Sequence, residues 1–107
     1  MESSTALHFV LPLPFFTAMV VAEPTPQRQA ELVHLLRHDC GSCHGMTLKG
    51  GLGPALTPDA LVNKPPDYLL QTVRDGHFGT PMPPWKGILS EDEMRFLVGI
   101  LLRGTAQ

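Results

Sequence analysis

Apolar residues recur along this chain with the spacing of helices, and no stretch shows the alternation of a half-buried strand. The first such pattern follows Thr25-Pro26, a helix N-cap residue and a proline suited to the first helical position. We predict a helix from there to about His38, with its apolar stripe made by Ala30, Leu32, Val33, Leu35 and Leu36.

Two weaker helical signals lie in the middle of the chain. Thr57 is suited to cap one helical turn that reaches about Val62. Pro65-Pro66 precedes a clearer helix over 67–75, and Gly76 follows it as a natural terminator.

The last helix has the strongest start signal. Ser90 and Glu93 form a capping box, and the helix is predicted to continue to Arg103. Gly99 is costly in the middle of a helix, and we expect it to permit close crossing by the first helix. The whole pattern predicts an all-α fold of three to five short helices joined by long loops.

Length and composition limit the number of domains and the size of the core. A chain of 107 residues forms one domain at most, and 11 prolines and 10 glycines favour irregular loops around a small core. Such a chain normally needs a covalent or metal staple. With 8 basic and 10 acidic residues, nothing indicates a nucleic-acid partner.

Residues 1–22 differ from the rest of the chain. The stretch 6–21 is mostly apolar but is interrupted by Pro12 and Pro14, and it is short for a membrane span. It is interpreted as a secretory signal peptide, although no Lys or Arg precedes it, with an uncleaved anchor as the alternative. The predicted mature domain, 23–107, has nine acids and eight bases, and we expect no membrane contact after cleavage.

The chemistry of the chain centres on Cys40-Gly41-Ser42-Cys43-His44. This is the C-x-x-C-H sequence of covalent c-type haem attachment, in which each thiol joins one vinyl group and His44 binds the iron. A thioredoxin-like redox pair is disfavoured because no βαβ pattern surrounds it. A structural zinc site is disfavoured because no second ligand pair follows.

A second candidate site is the loop 77–85, which holds Met82 between prolines. Prolines fix φ, so this loop is suited to present the Met82 sulfur at one point. Met82 lies 38 residues after His44, enough chain to reach the far side of a haem as the second iron ligand. His77 is the rival ligand, and a loop methionine packed on haem is the other alternative. Trp85 is expected to pack against the haem.

The remaining candidates are supporting residues. A carbonyl near Pro54 is placed to accept the other ring N–H of His44, which would fix the imidazole. His34 and His38 lie too near Cys40 to reach the opposite haem face and are expected at the surface.

With these motifs placed, residues 26–103 resemble the class I c-type cytochromes. That resemblance implies crossing terminal helices, one covalent haem c, and His44 and Met82 as axial ligands. More narrowly, the stretch 79–85 and the short length resemble the small periplasmic monohaem cytochromes of denitrification nitrite-reductase clusters, the NirC type.

The function expected from this resemblance is periplasmic electron transport as a monomer, with cytochrome cd1 nitrite reductase as the redox partner. The alternatives are an accessory role in d1 haem maturation and a five-coordinate haem enzyme or sensor. No catalytic constellation is recognisable, so we expect an electron carrier and not an enzyme. Exchange is expected at a haem edge bordered by Gly41, Met46 and Pro83.

Overall fold

The computed structural model describes residues 10–14 and 22–104 of the chain. Most of the predicted signal peptide, 1–22, lies outside these residues. Within the described ranges the regular structure is helical, without strands, as the sequence pattern predicts. No helix in this part of the chain has the length and apolar character needed to cross a bilayer. The helices are α1 (Pro26–Leu35), α2 (Gly41–His44), α3 (Pro58–Leu61), α4 (Pro66–Asp75) and α5 (Glu91–Arg103).

α1 begins where its cap residues predict. The Thr25 hydroxyl accepts a hydrogen bond from the Arg28 N–H at 3.3 Å, and Pro26 occupies the first turn. The helix does not end at His38 as an α-helix, because a π-helical turn, Leu36–Cys40, follows it directly. The Gly41 N–H donates to the carbonyl five residues earlier, at Leu36, which is the π pattern. α1, this turn and α2 therefore form one continuous helical path into the cysteine motif.

α5 is the helix around which the others assemble, since it packs against α1, α3 and α4. Its Ser90 and Glu93 form the predicted capping box in both directions, at 3.1 and 2.9 Å. The buried apolar core consists of Leu32, Leu36, Leu48, Leu61, Leu69, Leu70, Leu89, Met94, Leu97, Val98 and Leu101.

The explanation predicted for Gly99 is wrong. The atoms nearest to a Cβ built at Gly99 belong to the Arg103 guanidinium in the same helix, with Nη1 at 3.1 Å. The open side of this glycine is therefore covered by its own helix and not by α1.

Two ion pairs connect α5 to its neighbours. The Arg28 guanidinium of α1 bonds to the Glu93 carboxylate, and the Arg74 guanidinium of α4 bonds to the Glu91 carboxylate, with Nε to Oε2 at 3.2 Å. These hydrogen bonds are the main reason why the pKa values of Glu93 and Glu91 lie below the usual glutamate value of 4.5. Both carboxylates therefore favour the folded state when ionised.

The Arg28–Glu93 pair generates a prediction about acid stability. A carboxyl whose pKa is lowered by folding contributes stability above its unfolded pKa, and that contribution is lost as the pH falls through its folded pKa. We expect Glu93→Gln to lower the melting temperature at neutral pH, and to lower it progressively less as the pH falls below 4.5 and through the folded-state pKa, because glutamine retains the capping box but not the charge. The loss is small because Arg28 is 39% exposed. Thermal circular dichroism from neutral pH down through this acid range measures it.

The matched control is Arg28→Gln, alone and combined with Glu93→Gln. If the ion pair is responsible, the double variant is destabilised by less than the sum of the single variants. An unchanged pH dependence in Glu93→Gln would contradict the assignment.

Candidate functional site

The cysteine motif occupies the end of the helical path. Cys40 closes the π-helical turn, while Cys43 and His44 lie in α2, and both thiols are free. The Ser42 hydroxyl donates to the Asp39 carbonyl at 2.7 Å and fixes the junction between the π turn and α2. Burial, with a smaller effect from the Asp39 carboxylate, raises the pKa of the Cys40 thiol to about 11.

The loop that follows α2 folds back onto its carbonyl end. The Gly53 N–H donates to the Cys43 carbonyl at 2.7 Å, and the Gly50 N–H donates to the His44 carbonyl at 2.8 Å. These bonds satisfy carbonyls that a helix end leaves free. The approach needs glycine, since a Cβ at Gly51 would lie 2.8 Å from the Cys43 oxygen.

This folding brings a carbonyl onto the His44 ring. The Pro54 oxygen lies 2.7 Å from His44 Nδ1, so Nδ1 donates the hydrogen bond and Nε2 retains its lone pair. Gly53 lies directly against the same ring, where a Cβ would be 2.8 Å from both Nδ1 and Cε1. The structure thus brings together Pro54 and His44 as the sequence predicts. It adds Gly53, a contact that sequence reasoning missed.

Met82 lies half-buried in a loop that is closed by its own backbone. The His77 N–H donates to the Met82 carbonyl at 3.2 Å, and the Met82 N–H donates to the Thr80 hydroxyl at 3.3 Å. Gly76, with φ +72°, ends α4 as predicted and precedes this loop. Sequence reasoning did not identify Thr80, although a threonine two residues before a candidate ligand is a recognisable turn signal.

The far end of the same loop is attached to α4. The Trp85 and Lys86 N–H groups donate to the Val73 and Arg74 carbonyls at 3.0 and 3.3 Å. The half-buried Trp85 side chain packs against the apolar core. α4 therefore positions the Met82 loop at both of its ends.

The structure also shows which of the remaining residues named in the sequence analysis are exposed and which are buried. His34 and His38 are exposed, with ring centroids 4.1 Å apart, as expected for surface residues. Met46 and Pro83 are also exposed. Gly41 is buried, so the expectation that it borders an exposed edge is wrong. The Met46 sulfur lies 3.5 Å from the position of a Cβ on Gly41 and helps to cover it.

These donor groups fit a covalently attached haem. Two free thiols stand three positions apart, the next side chain is a histidine whose Nε2 is available, and the loops 45–56 and 77–85 expose apolar side chains suited to contact with a porphyrin face. Those exposed side chains are Met46, Leu52 and Phe78. Within the described residues, no cluster of three or more His, Cys, Asp or Glu offers an alternative metal site.

Comparisons with known proteins agree with this chemistry. The family described as cytochrome c oxidase, cbb3-type, subunit III matches residues 27–99. The chain is 54% identical over 99 residues to cytochrome c55X of Pseudomonas aeruginosa, covering 92% of this chain and 81% of the relative. It is 52% identical over 89 residues to cytochrome c55X of Stutzerimonas stutzeri, covering 83% and 79%.

Two solved structures are also similar. A c-type cytochrome NirC superposes with a TM-score of 0.74 at 58% identity, covering 76% of this chain and 95% of that one. The dihydro-haem d1 dehydrogenase NirN, in complex with DHE, superposes with a TM-score of 0.64 at 29% identity, covering 70% of this chain and 16% of that one.

The fold and the family match define a c-type cytochrome with one covalently bound haem c. The chain belongs to the family described as cytochrome c oxidase, cbb3-type, subunit III, and its relatives there include the cytochromes c55X and NirC. The predicted all-α class I fold, the haem c cofactor and the NirC-type resemblance are confirmed. The chain is a cytochrome c-type electron carrier.

Proposed function

We propose that Cys40 and Cys43 would hold the haem through thioether bonds and that His44 Nε2 and the Met82 sulfur would bind its iron. The observation that carries this proposal is the hydrogen bond between His44 Nδ1 and the Pro54 carbonyl. It occupies one ring nitrogen, orients the other, and makes the imidazole more basic. A thioether ligand raises the reduction potential because soft sulfur favours Fe(II).

The haem iron supplies the chemistry, one electron gained or lost between Fe(III) and Fe(II). The protein's contribution is to keep both ligands in fixed positions during that change. His44 is held by Pro54 and Gly53, and Met82 is held by backbone bonds within its loop. Neither ligand needs a loop rearrangement when the charge changes, which favours fast electron exchange. Trp85 would limit solvent access by packing between the core and the haem.

We further propose that residues 1–22 direct export and are removed, leaving residues 23–107 as a monomeric periplasmic carrier for nitrite reduction. The apolar stretch within residues 1–22 and the likeness to NirC support this role. The partner is proposed to be cytochrome cd1 nitrite reductase. With nine acids and eight bases in the mature domain, encounter would depend on a small contact area and little on charge.

A second candidate function has its own observation. The chain superposes on part of NirN, whose name describes a dihydro-haem d1 dehydrogenase. A dehydrogenase must pass electrons to an acceptor, and the fold that this chain shares with part of NirN supports the chain as that acceptor. The chain would then accept electrons during d1 haem maturation.

Gly53→Ala tests the orientation of His44. The added methyl would overlap the ring, so the ring must move away from the Pro54 carbonyl. We expect the reduction potential to rise by an amount on the order of tens of millivolts, because a less basic imidazole stabilises Fe(III) less. Gly87→Ala is the matched control, since nothing lies within 4 Å of its added Cβ. Equal potentials in the two variants would contradict the proposed role.

Met82→Ala tests the second ligand. We expect the haem to remain covalently attached, the reduction potential to fall, and the reduced protein to bind carbon monoxide rapidly at the position left by sulfur. Electrochemical titration and carbon monoxide mixing measure the two effects. The control is Ile88→Ala, because Ile88 is an exposed apolar residue that lies outside the loop 77–85. A variant with unchanged potential and no carbon monoxide binding would disprove the ligation.

Stopped-flow mixing distinguishes the two functions. The reduced protein is mixed with oxidised cytochrome cd1 nitrite reductase, and the oxidised protein with the d1-forming dehydrogenase and its dihydro-haem substrate. We expect faster exchange with nitrite reductase than an unrelated small cytochrome gives, with a weak dependence on salt. Faster exchange in the dehydrogenase reaction alone would instead identify the maturation role.

A further inference from the structure

The Met82 backbone is bonded on both sides within one short loop. Its carbonyl accepts from the His77 N–H at 3.2 Å, and its N–H donates to the Thr80 hydroxyl at 3.3 Å. The Thr80 hydroxyl in turn donates to the His77 carbonyl at 2.7 Å, parallel to a backbone bond from the Thr80 N–H at 3.1 Å. One hydroxyl therefore connects the two ends of the loop, at His77 and Met82.

The base of this loop allows little adjustment. A Cβ at Gly76 would lie 2.6 Å from the Met82 oxygen and 2.8 Å from the Pro83 carbonyl carbon. Beyond the loop, the Trp85 N–H is bonded to the Val73 carbonyl of α4 at 3.0 Å. The chain thus leaves α4 at Gly76 and returns to the same helix end at Trp85, with Met82 against its base.

We propose that Thr80 is the positioning residue for Met82: its hydroxyl closes the loop and keeps the sulfur at the iron. This inference rests on the proposed Met82 ligation. The side chain is exposed and its hydroxyl bonds within the loop, so its contribution is to the geometry of the loop. Without the hydroxyl, the Met82 N–H and the His77 carbonyl each lose a bond, and the sulfur moves more freely. The effect is largest for Fe(III), which holds a soft thioether less tightly.

The test uses Thr80→Val in the intact haem protein, because valine keeps the branched shape and removes the hydroxyl. The oxidised protein is titrated with imidazole, which competes with Met82 for the iron. We expect about tenfold tighter apparent imidazole binding, the effect of losing about one net hydrogen bond. We also expect weakening of the sulfur-to-iron charge-transfer band. Thr80→Ser should restore both properties, since serine keeps the hydroxyl.

Two further variants make the result specific. Thr72→Val removes a hydroxyl that donates to the Tyr68 carbonyl at 2.9 Å within α4 and not to the loop, and it should leave imidazole binding unchanged. Gly76→Ala disturbs the Met82 backbone by a separate route and should shift imidazole binding in the same direction as Thr80→Val.

The outcomes separate this inference from the ligation itself. If Met82→Ala tightens imidazole binding and Thr80→Val does not, Thr80 has no positioning role while Met82 remains the ligand. If Thr80→Ser and Thr80→Val tighten imidazole binding equally, the role of the hydroxyl is also overturned. If Met82→Ala leaves imidazole binding and the charge-transfer band unchanged, Met82 is not the ligand, and the inference falls with it.

Discussion

The hydrogen bond between the His44 ring and the Pro54 carbonyl constrains the whole first half of the site. To bring that carbonyl within 2.7 Å of Nδ1, the chain must turn back on α2 immediately after the motif. The return path then passes so close to Cys43 and His44 that a Cβ would overlap them at Gly51 and at Gly53. These two glycines are therefore a consequence of the position that the Pro54 carbonyl must take, and the Gly50 and Gly53 N–H groups also satisfy the carbonyl end of α2.

The loop of the proposed second ligand, Met82, depends on α4. This helix is anchored to α5 through the core and through Arg74–Glu91, and its last turn holds both ends of the Met82 loop. α5 is in turn connected to α1, which leads into the cysteine motif. The loop after α2 and the Met82 loop are thus both attached to one small helical core, although neither loop contains much regular structure of its own.

The sequence predicts the features that depend on contacts between residues close together in the chain. Thr25, Ser90 and Glu93 act as caps through contacts with their own neighbours, and the cysteine motif is defined by spacing alone. The contact of Gly53 with the His44 ring and the ion pair from Arg28 to Glu93 were not predicted. They join positions brought together by folding, which periodicity and capping rules do not describe.

The π-helical turn has a consequence for how this protein tolerates change. An α-helix rotates by about 100° per residue, so each residue between the buried Leu32 of α1 and Cys40 sets the direction in which the thiols point. The widened turn accommodates one residue more than a regular α-helical turn would. Loss of one residue from 37–39 would leave a regular α-helical turn and would keep Leu36, the motif and the direction of the thiols. A further inserted residue would have no widened turn to hold it and would rotate the cysteines by about 100°, so this segment tolerates the loss of a residue better than the gain of one.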